Sequence, residues 1–419
     1  MANYKLTKLK GREVIDSRGN PTLEVEAYCG RISASAIVPS GASTGIYEAL
    51  ELRDKDHRFN GKGVQEAVKK VHFLSKKLKG VDVTKQKQVD TLMIGLDGTA
   101  KKTRFGANTI LGISMACCRL AAKCKNQELY KHLAMLYGNK KVSVPVPFCN
   151  IINGGEHAGN DLPMQEFMIV PKKAKTFAEA LRMVSETYQI LKNLIEKKYG
   201  KTATGVGDEG GFAPPISKAE DALNLITKAI DDAGYNKKIS IAMDPAASEF
   251  YMNNVYKYKL HKNYSPKQLK NYYLRLAQKY DIISIEDPFD QDDFDSYQLL
   301  MDDANFQVVG DDLLVTSVDR INIASEKNLC NALLLKVNQI GSVSEAMAAS
   351  HVAMQNKWNV MVSHRSGETE DTFIADLAVA LGCNEIKIGA PCRGERTAKF
   401  NRLLRIEEIL GPTFYNRKI

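Results

Sequence analysis

Cysteine is scarce, long apolar runs are missing, and charge of either sign is nowhere massed. The eight cysteines, at 29, 117, 118, 124, 149, 330, 383 and 392, are too thinly spread over 419 residues for a disulfide scaffold, and no CxxC pair occurs. Cys117 and Cys118 are adjacent in an apolar helical stretch and read as small core residues. The longest apolar stretch, 109–122, contains Arg119 and is too short to span a bilayer. The first residues, MANYKLTKLKGREV, lack the apolar segment of a secretory signal. A reduced, cytoplasmic chain that needs no membrane is expected from these absences. Lysine and arginine exceed aspartate and glutamate by 58 to 49, a net charge of +9, yet the lysines are scattered, as in KKLKG (76–80) and KNYSPKQLKN (262–271). Scattered lysines are solvated helix faces more often than a nucleic-acid surface, so no nucleic-acid partner is expected.

What is present is an ordinary globular composition, 44% apolar and 26% charged, which excludes a disordered, collagen-like or coiled-coil chain. At 46.5 kDa the chain exceeds one small core and calls for two domains, or a large barrel with additions. In TLEVEAYC (22–29), Leu23, Val25 and Ala27 alternate with Glu24 and Glu26 as in a strand, and Gly30-Arg31 turns the chain into a second strand, ISASAIVP. From about 63 to 137 the pattern is helical, broken at GLDG (95–98), with one long apolar helix expected over 105–136. The prolines of KKVSVPVPF (140–148) forbid helix, and a boundary is expected just before it, giving domains 1–138 and 139–419.

Beyond residue 235 short apolar runs recur as buried strands: ISIAMD (239–244), IISIED (282–287), QVVGDD (307–312), ALLLKV (332–337), VMVSH (360–364) and IKIG (386–389). Helix starts separate them, with Ser265-Pro266 as a cap and Ser342/Glu345 as a capping box; Thr176/Glu179 and Ser217/Glu220 mark two more upstream. Strand alternating with helix in six or more units predicts a parallel sheet closed into a barrel.

Each of those strands ends in a polar residue: Asp244, Glu286, Asp311, Lys336, His364 and Lys387. Closure of the sheet would bring all six to the C-terminal mouth, where barrel enzymes keep their chemistry. Asp244, Glu286 and Asp311 are like charges that repel unless a cation sits among them, and oxygen donors without Cys or His favour Mg²⁺ over zinc. Lys336, near a cation and another lysine, is a candidate base; the alternative is a lysine merely paired with a metal-site carboxylate. Gly205–Gly210 formally matches GxGxxG, but Pro214-Pro215 and two acids argue against a dinucleotide loop, and its glycines better serve to present Glu209 at a crowded site. SGASTG (40–45) suits either a lid closing on a phosphate or an ordinary loop.

SGASTG, NGGEHAG (153–159), MQEFM (164–168), GDEGG (207–211), SIEDPF (284–289), LLLKVNQIG (333–341) and SHRSGETEDT (363–372), in this order, resemble the enolase family, and the likeness runs from DSRGNPT (16–22) to LLRIEEILG (403–411). Pro245, after Asp244, falls where that family varies. The resemblance implies an α/β fold in which a small N-terminal α+β domain caps a modified TIM-type (β/α)8 barrel with some antiparallel strands at its start. It implies the glycolytic enzyme that reversibly dehydrates 2-phosphoglycerate to phosphoenolpyruvate through an enediolate. By similarity Asp244, Glu286 and Asp311 hold a first Mg²⁺, and a second arrives with substrate at Ser43. Lys336 is then the base and Glu209 the acid, while Ser43, His157, Gln165, Glu166, His364, Arg365, Ser366 and Lys387 line the substrate site. Glu166 and burial are expected to keep Glu209 protonated. A homo-oligomer, dimer or octamer, is implied as well. A superfamily member acting on another carboxylate would not need Ser43, Arg365 and Ser366, and a retired structural protein would not need Lys336 and Glu209.

Overall fold

The computed structural model describes residues 4–41, 45–258 and 262–416. Its first domain starts with the alternation noted above: β1 (Lys8–Ile15), β2 (Pro21–Cys29) and β3 (Ile32–Ile37) form an antiparallel meander. Leu23, Val25 and Ala27 are buried, whereas Glu24 and Glu26 stay near the surface and pair with Arg12. The helical stretch that follows is four helices: α1 (Gln65–Leu78), α2 (Gln86–Asp97), α3 (Ala107–Cys124) and α4 (Leu129–Tyr137). Gly98 ends α2 in the left-handed conformation, as GLDG foretold. The single helix expected over 105–136 is two, because Asn126 adopts a positive φ and Glu128 is extended; a further break lies at Gly80, also left-handed. α3 is buried almost all round because it lies between the sheet and the barrel. Gly112 lets it approach: a Cβ there would stand 2.7 Å from Val25. Arg119, the charged residue in this apolar helix, makes a two-pronged pair with Asp371 of the barrel at 2.7 Å.

The second domain begins with β4 (Val146–Asn153), β5 (Glu166–Val170), α5 (Phe177–Tyr199), α6 (Ala219–Asp232) and β6 (Ser240–Asp244). A small antiparallel sheet follows, of β7 (Tyr251–Met252), β8 (Val255–Tyr258) and β9 (Lys262–Tyr264). Then come α7 (Pro266–Tyr280), β10 (Ile282–Glu286), α8 (Phe294–Met301), β11 (Gln307–Gly310), α9 (Val318–Glu326), β12 (Ala332–Leu335), α10 (Val337–Ile340), α11 (Val343–Gln355), β13 (Asn359–Ser363), α12 (Phe373–Leu381), β14 (Glu385–Lys387) and α13 (Gly394–Leu410). Among the described residues β4, β5, β6 and β10–β14 close into a barrel of eight strands. β5 runs antiparallel to both neighbours and the other pairs are parallel. The fold is thus a modified TIM-type barrel with a small N-terminal domain, and its antiparallel start is the part that the strand–helix beat does not reach.

The helix starts read from sequence divide. Ser265 forms a full capping box with Gln268 and Pro266 follows it, and Thr176 and Ser342 accept from the backbone of Glu179 and Glu345. At α6 Lys218 instead holds the cap position, without a side-chain bond, because the chain stays extended through 218.

At the N-terminal mouth, Glu385 is fully buried and accepts from Gln307 at 2.9 Å and Asn359 at 3.2 Å. Burial pushes its carboxyl up to about 7. The folded state therefore holds a proton that the unfolded chain releases near 4.5; the stabilisation this gives is complete below that value and is lost as pH rises through about 7. Glu385→Gln removes the titration while keeping one acceptor oxygen and nearly the same shape. Thermal unfolding should show wild type losing up to about 3 kcal/mol relative to the variant between pH 5 and 8; a difference that does not change with pH contradicts this account.

Candidate active site

Parallel strands deliver their last residues to one mouth. Asp244 ends β6, Glu286 ends β10 and Lys387 ends β14, while Asp311, Lys336 and His364 directly follow β11, β12 and β13. β5 runs the other way, so its first residue reaches the same place: Glu166 is in register with Asp244 on one side and Asn153 on the other. His157 comes from a short turn after β4, Glu209 from the loop before α6, and Arg365 and Ser366 from the loop after β13. All of them are buried except Lys336, which is half-buried.

The Lys387 ammonium sits among carboxylates, 3.0 Å from Glu166, 3.2 Å from Asp244, and 2.9 and 2.8 Å from the two oxygens of Glu286. Lys336 pairs with Asp311 Oδ2, and Gln339 donates to Asp311 Oδ1 at 2.8 Å. Glu209 accepts from Asn150 at 2.8 Å, with His364 Nε2 at 3.4 Å and His157 Nδ1 at 3.6 Å; His157 also faces Glu166 at 3.7 Å. Arg365 forks onto Glu48 at 3.0 and 3.2 Å and bonds Asn338 at 3.0 Å. The cavity left between these groups is about 20 Å³, hardly more than one water. A far larger one, about 1350 Å³, opens at the opposite mouth and touches none of them, so converging charge marks the site better than size does.

Two family models cover the chain, "Enolase, N-terminal domain" over residues 6–133 and "Enolase, C-terminal TIM barrel domain" over 141–417. The enolase of Methanocaldococcus jannaschii is 52% identical over 414 residues, 98% of this chain and 97% of that protein. The chain belongs to the enolase family. It is accordingly an enzyme, a phosphopyruvate hydratase and thus a lyase.

Of the residues that the enolase resemblance singled out, His157, Gln165, Glu166, Glu209, Asp244, Asp311, Lys336, His364, Arg365, Ser366 and Lys387 line one cavity, and Glu286 joins them through Lys387. Ser43 lies outside the described residues. One protonation expectation is corrected. Burial and the neighbouring Glu209 push Glu166 well above the carboxylate range, while Glu209, against its own burial, is held well below it chiefly by His157. Of the pair, Glu166 therefore has the higher proton affinity. Burial works against the Lys336 ammonium, but Asp311 outweighs it and raises the lysine; the expected easing of its proton loss refers to a lysine beside a bound cation. Asn150, Glu48, Gln339 and Asn338 are site residues the sequence reading missed; only Asn150, an amide set inside the apolar run VPFCNII, carried a signal.

The donor set fits a hard divalent cation. Burial and Asp244 push Glu286 well above its ordinary range, the mark of buried carboxylates short of positive charge. Asp244 and Glu286 meet on Lys387 while Asp311 turns to Lys336. A tighter grouping, Asp287 with Asp311 and Asp312, has ligand oxygens within 4.8 Å of one another, and Asp287 is there a strut that accepts from the backbone of both neighbours. Lys387→Met removes a cation that touches three carboxylates. In chelator it should destabilise the fold by about 3–5 kcal/mol, and Mg²⁺ should restore more of the thermal midpoint in the variant than in wild type. Equal Mg²⁺ shifts in both would show that the carboxylates do not form a cation site.

Proposed function

We propose that this enzyme reversibly dehydrates 2-phosphoglycerate to phosphoenolpyruvate with Mg²⁺, Lys336 acting as base and Glu209 as acid. The observation that carries the reading is the presence of two separate proton-handling pairs, Lys336–Asp311 and Glu209–Glu166, on either side of carboxylates held by one lysine. A C2 proton next to a carboxylate is barely acidic, and a C3 hydroxide leaves poorly; the two tasks need a strong base and a protonated acid in one pocket. Asp244, Glu286 and Asp311 would hold the first Mg²⁺, and Ser43 the one arriving with substrate. When bound, the metals supply positive charge where the enediolate's negative charge develops, an arrangement the handling of such carbon acids in this superfamily is known for.

Lys336 must shed its proton before it can take one. Arg365 and Lys387 both push it that way, and they prevail once the charge of Asp311 is engaged elsewhere. A proton on Glu166 reaches the leaving hydroxyl through Glu209, whose carboxylate Asn150 orients. Arg365, now forked onto Glu48, has the planar geometry to take a phosphate, with Ser366 beside it. His157, Gln165, His364 and Lys387 complete the substrate's surroundings. Family membership supports the remaining parts: a role in glycolysis and gluconeogenesis, a cytoplasmic location, a homo-oligomer (dimer or octamer), and domains meeting at 138/139, in the gap between the two matched spans. No helix of the described residues is long and apolar enough to cross a membrane.

The two roles separate in deuterated solvent. Lys336→Ala should abolish both turnover and exchange of the C2 hydrogen, each by roughly 1000-fold. Glu209→Gln leaves the base intact, so it should still exchange while forming almost no phosphoenolpyruvate. Proton NMR of 2-phosphoglycerate reads both; exchange that survives in Lys336→Ala, or disappears in a folded Glu209→Gln, overturns the assignment.

A further inference from the structure

We infer that Arg396 is a positioning residue that fixes His364 as the neutral Nε2–H tautomer, with that nitrogen beside Glu209; this rests on Glu209 acting as the acid. Arg396 lies in the first turn of α13 and is fully buried. Its Nη1 contacts His364 Nδ1 at 2.7 Å and donates to the Arg365 carbonyl at 2.5 Å. Its Nη2 donates to the carbonyls of Ser366 at 2.6 Å and Asp208 at 3.0 Å. A guanidinium only donates, so Nδ1 must accept and the ring proton must sit on Nε2, 3.4 Å from Glu209 Oε1. One planar group thereby ties the loop that carries Glu209 to the loop that carries His364, Arg365 and Ser366.

The surroundings leave little room for another arrangement. Gly389, at φ +76°, is wedged between the partners: a Cβ there would stand 2.7 Å from the Glu209 carbonyl, 3.1 Å from His364 Cε1 and 3.2 Å from Arg396 Cδ. A cation in the first turn also opposes the helix dipole. Three basic residues nonetheless share this end of α13, each spent on a loop at the site. Arg393 donates to the Ser17 carbonyl at 2.7 Å, and Lys399 to Glu368 and the Thr369 carbonyl at 2.6 Å. The charged groups facing His364 are Glu209, Arg396, Lys387 and Lys399, and burial together with the three cations holds the imidazole well below its ordinary range.

Wild-type protein labelled with ¹⁵N-histidine tests this directly, the His364 signals being those lost in His364→Asn. Expected are a protonated Nε2 and an acceptor Nδ1, unchanged from about pH 5.5 to about 8.5. Arg396→Met should let the ring titrate or populate Nδ1–H in that range, with turnover down at least roughly 100-fold. Arg396→Lys, which can still donate to Nδ1, should restore the Nε2–H signature and part of the turnover. A wild-type Nδ1–H or imidazolium form overturns the inference, as does an Arg396→Met enzyme with unchanged tautomer or unchanged turnover. If Arg396→Met does not fold, wild type and Arg396→Lys still decide. Wild-type conversion of 2-phosphoglycerate, measured first, tests the proposed function alone.

Discussion

Five carboxylates buried at one barrel mouth, Glu166, Glu209, Asp244, Glu286 and Asp311, are the constraint from which the rest of this structure follows. Desolvated like charges are tolerated only when each meets a cation, a hydrogen-bond donor or a proton. Here Lys387 serves three of them, Lys336 serves the fourth, and the fifth accepts from Asn150 beside two imidazoles, while the proton affinity of Glu166 is raised. The barrel is what makes such crowding feasible, because six parallel strand ends and the reversed start of β5 aim at one point. The same crowding gives the pocket its chemistry: groups whose proton affinities have been forced apart can take a proton at one place and give it at another.

The first domain meets the barrel through the apolar packing of α3 and α4 against its helices, and backbone pairs join the two at the mouth. Ser40 and Gly367 exchange backbone hydrogen bonds at 2.8 and 2.9 Å, and Ser17 N donates to the Glu368 carbonyl at 2.8 Å. Glycine is required at 367, since a Cβ would stand 2.6 Å from the Ser40 carbonyl. Glu48 reaches across to Arg365, and Arg119 to Asp371. The loop that carries Arg365 and Ser366 is therefore held by both domains, and Ser40, where the SGASTG motif begins, is one of the residues that pins it.

Much of this was legible. Apolar runs ending in a polar residue mark six of the seven parallel strands because a buried strand must be apolar and its end must meet the mouth. The glycines around Glu209 read correctly as aids to close approach: a Cβ at Gly207 would lie 2.4 Å from the His157 carbonyl. Strand direction was not legible for β5, since both faces of that strand are buried whichever way it runs. The small sheet β7–β9 escaped notice because its tyrosines sit in a short, polar, irregularly spaced stretch. Which member of Glu166/Glu209 has the higher proton affinity, and that Asp311 raises Lys336, depend on distances no spacing encodes. Glu48 and Arg396 look like ordinary charges on solvated elements until the fold buries them.

The central claim is that the carboxylates of the mouth are a cation site on which fold and chemistry both depend. Its most direct test follows phosphoenolpyruvate absorbance near 240 nm and the thermal midpoint in the same samples as chelator is added and Mg²⁺ is returned. The account predicts that turnover and midpoint fall together and recover together. Full turnover in chelator, or loss of turnover with no change in the midpoint, would contradict it.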